Sequence, residues 1–121
     1  MSRGTIPILR VGGNLLTTIH VDLDDAVAEA FQQDVLESIE RDGAAGLVID
    51  ISGLDEVDTY VARLLADTAR MARLMGTRSV IVGMRPEVAS TLVTMGYSME
   101  GVDTALDVDS ALVLLASSRQ R

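Results

Sequence analysis

Apolar and polar positions alternate with a strand period at the start of the chain and fall into a helical period soon after it. Thr5 to Val11 reads as a strand, and Pro7 pushes it toward a sheet edge because proline cannot donate to a ladder. Gly12-Gly13-Asn14 carries the chemistry of a tight hairpin turn, and Leu15 to Val21 returns as a second strand. Then the period changes. Asp22, Asp24 and Asp25 stand where a helix start favours acids, and Val27, Phe31, Val35 and Ile39 recur on one face until Gly43 stops the pattern. Gly46 to Ile51 is too apolar to be half-exposed and predicts a buried strand.

From Thr59 to Met75 the apolar positions Val61, Leu64, Leu65, Ala72 and Met75 form a helical stripe, with Thr68 as its one hydroxyl. Arg63, Asp67 and Arg70 lie on the opposite side at spacings that permit ion pairing. Gly76 ends this helix, and Arg78 to Gly83 predicts a third buried strand. Pro86 suits a first helical position and opens a short helix through Met95, stopped by Gly96. Tyr97 to Met99 is a candidate short final strand. Asp107 is placed to cap a last helix that runs to about Ala116. Within that helix Leu112-Val113-Leu114-Leu115 is apolar around most of a turn, which predicts core on one side and a partner on the other. A hairpin followed by repeated helix–strand units predicts an α/β fold: a mixed sheet with about four helices packed against it.

Composition narrows the chemistry. At 121 residues the chain has the size of one domain, expected to span 1–121. Hydrophobic residues at 48% and charged residues at 23% predict a packed core rather than disorder. The net charge is −8, and all 10 basic residues are Arg. That balance argues against a nucleic-acid or anionic-membrane surface. Without Lys there is no P-loop lysine, Schiff base or Ser-Lys dyad. Without Cys there are no disulfides, thiolate metal sites or Cys nucleophiles. No apolar run approaches a transmembrane span and the N-terminus lacks signal-peptide order, so a cytoplasmic setting is expected.

Few candidates for chemistry remain. His20 has no Asp or Ser partner at a meaningful spacing and reads as a polar strand residue. Asp22, Asp24 and Asp25 lack the ligand ladder and glycine of a calcium loop, so no metal site is assigned to them. Gly12-Gly13 leads into a strand and not a helix, unlike a phosphate-binding fingerprint. Met71, Met75, Met84, Met95 and Met99 read as core or interface filler. Asp58-Thr59 stands where an acidic loop opens into the long helix. On local chemistry alone Asp58 is an N-cap worth about 1 kcal/mol, and Thr59 merely begins the helix. Alternatively its hydroxyl is presented for phosphorylation, at a terminus whose unpaired N–H groups and dipole favour an anion.

Several segments together carry a resemblance. The strand ending at Asp50, the loop Gly53 to Val57 and the pair Asp58-Thr59 resemble a STAS domain, the sulfate-transporter and anti-sigma-factor-antagonist family. Ile6-Pro7-Ile8-Leu9, Asp24-Asp25, Leu74-Met75-Gly76 and Gly83-Met84-Arg85-Pro86-Glu87-Val88-Ala89 are similar to its stressosome branch, within which the chain looks like the stand-alone RsbS type. One departure is that RsbS-type chains carry Ser as phosphoacceptor, whereas Thr59 is RsbR-like, as is Val57-Asp58-Thr59-Tyr60-Val61-Ala62. The resemblance implies a non-enzymatic scaffold without a cofactor. Such a scaffold would assemble with copies of itself and with RsbR-type STAS paralogues, and hold an RsbT-type serine/threonine kinase. Phosphorylation of Thr59 would release the kinase, and an RsbX-type phosphatase would reset the site. Asp58, Tyr60 and Glu56 would then belong to the partner-binding surface, and Thr91 would be a second, subordinate phosphoacceptor. Rival readings are a monomeric anti-anti-sigma factor that binds an anti-sigma kinase, and the STAS portion of an RsbR-type paralogue. Less well supported are a nucleotide-binding STAS module and a magnesium-dependent hydrolase built on Asp50, Asp55 and Asp58.

Overall fold

The computed structural model describes residues 6–20, 23–96 and 102–119. The elements run β1 (Ile8–Val11), β2 (Asn14–Thr18), α1 (Asp25–Asp42), β3 (Gly46–Asp50), α2 (Thr59–Leu74), β4 (Arg78–Val82), α3 (Pro86–Thr94), β5 (Asp103–Ala105) and α4 (Val108–Arg119). The strands form one mixed sheet of order β1-β2-β3-β4-β5, antiparallel at β1–β2 and parallel elsewhere. This is the α/β architecture expected from the hydropathy pattern.

Proline sets the first boundary. β1 begins at Ile8, after Ile6 and Pro7, because Pro7 has no N–H for the ladder; its carbonyl instead accepts the Thr17 hydroxyl at 2.9 Å, and Thr5 lies outside the described residues. β1 lies at the sheet edge, as Pro7 predicts. Gly12 takes the positive φ (64°) of a two-residue hairpin turn, which puts Val11 opposite Asn14.

Cross-strand register separates the two sheet faces. Leu15, Leu47, Ile49 and Ile81 point to one side and pack with Phe31, Val35 and Ile39 of α1, Val61 and Leu65 of α2, and Val88 and Leu92 of α3. Val48, Val80 and Val82 point to the other, where Ala111 and Leu115 of α4 cover them. Three helices therefore shield one face and a single helix part of the other. The inner side of α4 meets core as expected, while Val113 is 67% exposed on its outer side.

Helix ends follow their caps. Asp24 Oδ1 accepts the Val27 N–H at 2.8 Å to start α1, and Gly43 closes it in the left-handed region (φ 62°). Asp107 Oδ1 accepts the Ser110 N–H at 2.8 Å at the start of α4. On α2, Asp67 meets Arg70 at 3.0 Å and Arg63 at 3.9 Å, the pairing that their spacing predicts.

Other boundaries also depart from expectation. β2 stops at Thr18, so His20 lies exposed beyond it and not in a strand; Val21 and Asp22 fall outside the described residues. Met75 is the cap residue after α2 and is 44% exposed, so it does not join the buried stripe. The last strand among the described residues is Asp103–Ala105, too short for its one strand-favouring residue, Thr104, to signal it; the strand expected at Tyr97 to Met99 lies outside the described residues. α4 continues past Ala116 to Arg119.

Candidate functional site

The loop between β3 and α2 is folded by its own sequence. Asp50 Oδ1 accepts the Ser52 N–H at 2.9 Å, turning the chain as the strand ends. The Leu54 N–H returns to the Ile51 carbonyl at 2.9 Å, and Leu54 and Val57 plug the loop into the core. Asp55, Glu56 and Asp58 are left exposed. Gly53 makes this path possible, since a Cβ there would stand 2.6 Å from the Ile19 carbonyl oxygen and 3.1 Å from His20 Cα. Both neighbours are backbone and no rotamer can relieve the clash. Gly53→Ala should therefore destabilise the protein by about 1–3 kcal/mol, the range for overpacking, as a lower urea midpoint at unchanged slope would report.

The helix that follows is capped as its sequence predicts. Asp58 has extended backbone, its Oδ1 accepts the Val61 N–H at 2.8 Å, and its carbonyl accepts the Ala62 N–H at 2.9 Å. Thr59 is the first residue of α2 and is exposed. Its N–H and that of Tyr60 are the first-turn donors that Asp58 does not claim. The site thus combines an accessible hydroxyl, a helix N-terminus and a cluster of carboxylates. The hydroxyl is open to solvent, and the carboxylates make the surface around it acidic.

Tyr60 is anchored sideways. Its hydroxyl donates to Glu29 Oε2 of α1 at 2.6 Å. That hydrogen bond, then desolvation and the negative charges of Glu29 and Asp25, push the phenol from its ordinary 10.0 up to about 12. The folded-state value lies above the unfolded one, so the contribution to stability is complete below pH 10 and disappears as pH rises through about 12. Tyr60→Phe should remove this alkaline component from the stability profile; an unchanged profile between those limits would refute the Tyr60–Glu29 linkage.

The other candidates are dispersed. Thr91 sits on α3, half-buried, and its hydroxyl already donates to the Glu87 carbonyl at 2.9 Å. Asp50, Asp55 and Asp58 are engaged separately, by Ser52 N–H, by Arg85 and by Val61 N–H. Among the described residues, no group of three His, Asp or Glu side chains is placed to hold a metal ion. No helix of the described residues is long and apolar enough to cross a membrane. Beside Thr59 a shallow hollow of about 400 Å³ has Leu23, Leu54 and Val61 in its lining and Asp55, Glu56 and Asp58 around it.

Sequence reasoning missed Arg85 as part of this site. Its Nε donates to the Ser52 carbonyl at 3.1 Å, and its Nη1 lies 3.4 Å from Asp55 Oδ1. The available signal was the motif around Arg85-Pro86, but only the fold shows what the guanidinium reaches.

Known proteins resemble this chain in sequence and fold. The chain is 34% identical over 91 residues to the RsbT co-antagonist protein RsbRC of Bacillus subtilis; the match covers 75% of the chain and 32% of that relative, so the chain spans about a third of its length. A serine-to-glutamate variant of Moorella thermoacetica RsbS superposes with a TM-score of 0.87 and 36% identity, over 96% of this chain and 98% of that one. A chain from the molecular architecture of the stressosome, a signal integration and transduction hub, gives a TM-score of 0.84 and 36% identity over 95% of this chain and 100% of that one. Residues 5–111 match the STAS domain, and with that match across nearly its whole length the chain belongs to the STAS domain family.

Proposed function

We propose that this chain is a non-enzymatic stressosome scaffold and antagonist of the RsbS type. It assembles with further copies of itself and with RsbR-type paralogues, holds an RsbT-type serine/threonine kinase, and releases it when Thr59 is phosphorylated; an RsbX-type phosphatase removes the phosphate. The observation that carries this reading is the exposed Thr59 hydroxyl at the first position of α2, next to a capping Asp58 that leaves two backbone N–H groups unclaimed. The near-complete overlap with the RsbS chain supports the assignment of type.

Electrostatics supports the direction of the switch. A phosphate adds about −1.5 to −2 charges at neutral pH. It would join Asp55, Glu56 and Asp58, repel an acidic partner surface seated there and incur a desolvation cost against an apolar one, with Glu56, Asp58 and Tyr60 at the contact. The helix N-terminus would accommodate the group, so the fold survives while the binding surface changes.

A second reading, an RsbR-type role, is favoured by the identity to RsbRC and by Thr rather than Ser at position 59. One experiment separates them. Incubation with an RsbT-type kinase and ATP, followed by mass-spectrometric site mapping, should place a single phosphate on Thr59. A second phosphate on Thr91 would favour the RsbR-type role, and an unmodified Thr59 would overturn both. Apparent mass tests assembly: the scaffold should elute as a large complex, alone or with its paralogue, whereas a monomeric anti-anti-sigma factor would remain small.

A further inference from the structure

We infer that Arg85 is a positioning residue for Thr59: it clasps the loop before α2 and holds it in the one shape in which the hydroxyl is offered to a kinase. The inference rests on the reading of Thr59 as phosphoacceptor and adds a residue from a different element to that site.

The first observation is what Arg85 does not do. It occupies the N-cap position of α3, where Ser, Thr, Asp or Asn would normally supply an acceptor, and it makes no side-chain cap bond. Its backbone still serves the helix, since its carbonyl accepts the Val88 and Ala89 N–H groups at 3.0 Å each. The side chain is used elsewhere. Nε donates to the Ser52 carbonyl at 3.1 Å, and Nη1 faces Asp55 Oδ1 at 3.4 Å, so two points of the loop are held by one planar group.

The second observation is that the neighbouring segment is shaped to bring the guanidinium there. The Ile51 N–H donates to the Val82 carbonyl at 3.0 Å, which continues the β3–β4 pairing past the strand end. Gly83 then takes φ 76°, and a Cβ on it would lie 2.7 Å from Ser52 Cβ and 3.0 Å from Asp50 Oδ1. The chain therefore passes against the loop at Gly83, two residues before Arg85 reaches over it. Asp55 is four residues from Thr59, and the intervening Val57 is buried, so the held segment leads without slack into the first turn of α2. The clasp also starts from the helix that carries Thr91, so a change on α3 has a direct mechanical route to Thr59.

Both partners of the ion pair are substantially exposed, so the pair alone is a weak restraint. Its role is selection among loop shapes. A loop that is competent about a tenth of the time raises the apparent substrate constant about tenfold and leaves the chemical step unchanged.

The test compares full-length wild type with Arg85→Ala and Arg85→Lys as substrates of an RsbT-type kinase, alongside amide hydrogen exchange of each protein without kinase. Arg85→Ala should raise KM for phosphorylation of Thr59 about tenfold at unchanged kcat, with Arg85→Lys between it and wild type. Exchange should accelerate at residues 52–57 and stay unchanged in α1 and β3. The inference is overturned if both KM and loop exchange match wild type. It is equally overturned if exchange accelerates throughout the sheet, which would mark Arg85 as an ordinary stability residue. If wild type itself takes no phosphate on Thr59, the phosphoacceptor reading fails first and the inference falls with it; that result is distinct from a normally phosphorylated wild type whose Arg85 variants behave alike.

Discussion

Thr59→Ala should fold and melt like the wild type yet take no phosphate from an RsbT-type kinase, so that kinase once bound stays bound. The structural half of this result follows from where the side chain lies. Thr59 is exposed, and the bond that organises the start of α2 comes from Asp58, not from Thr59. Alanine is also the better helix former, so any change in stability should be within a few tenths of a kcal/mol and favourable in sign. Stoichiometric phosphate on the Thr59→Ala protein would show that the acceptor lies elsewhere. Thr59→Asp should weaken kinase retention in a pull-down, though less than phosphate does, because a carboxylate carries one charge rather than nearly two. Retention equal to wild type would argue against electrostatic release.

Phe31→Ala should produce the largest loss of stability of any single truncation considered. Phe31 is the only Phe in the chain and there is no Trp, and among the described residues Phe31 is the largest fully buried side chain, 2% exposed, in a core otherwise mainly aliphatic. It projects from α1 into the cluster formed with Leu15, Leu47 and Ile49 of the sheet. Removing the ring forfeits its transfer free energy and leaves a cavity that branched neighbours fill poorly, at a cost of about 3–5 kcal/mol. Domains of this size are stable by only about 5–15 kcal/mol. In urea the midpoint should fall by about 2 M at unchanged slope. A shift below about 0.5 M would mean that the core around α1 collapses onto the space far more readily than its close packing implies.

Legibility in the sequence tracked how local the determining physics is. Asp24, Asp58 and Asp107 each cap a helix through an N–H three residues away, and Gly43 and Gly76 end helices in the left-handed region; such signals are contained in a few residues. The stripes on α1 and α2 were legible for the same reason. β5 was not, because Asp103 and Ala105 are poor strand formers, only Thr104 favours a strand, and the three are held by pairing with Val80, Ile81 and Val82. Within the candidate site, Asp58-Thr59 was readable as a loop-to-helix junction. Arg85 was not, since its contacts with Ser52 and Asp55 bring together distant stretches of chain through the β3–β4 pairing. The Tyr60–Glu29 bond likewise depends on how α1 packs against α2.

The strand order has a consequence for how the molecule is made. Because β1-β2-β3-β4-β5 runs in the order of synthesis, each new strand adds to the growing edge of the sheet and none must be threaded between two already paired. The hairpin closes a very short loop, and each later strand closes one of about helix length, an entropic cost that grows only slowly with length. Assembly can therefore proceed from the N-terminus while the remainder is still being translated. On that route the Asp58-Thr59 junction is in place once β3 and α2 have docked, whereas the arginine that clasps its loop arrives only after β4.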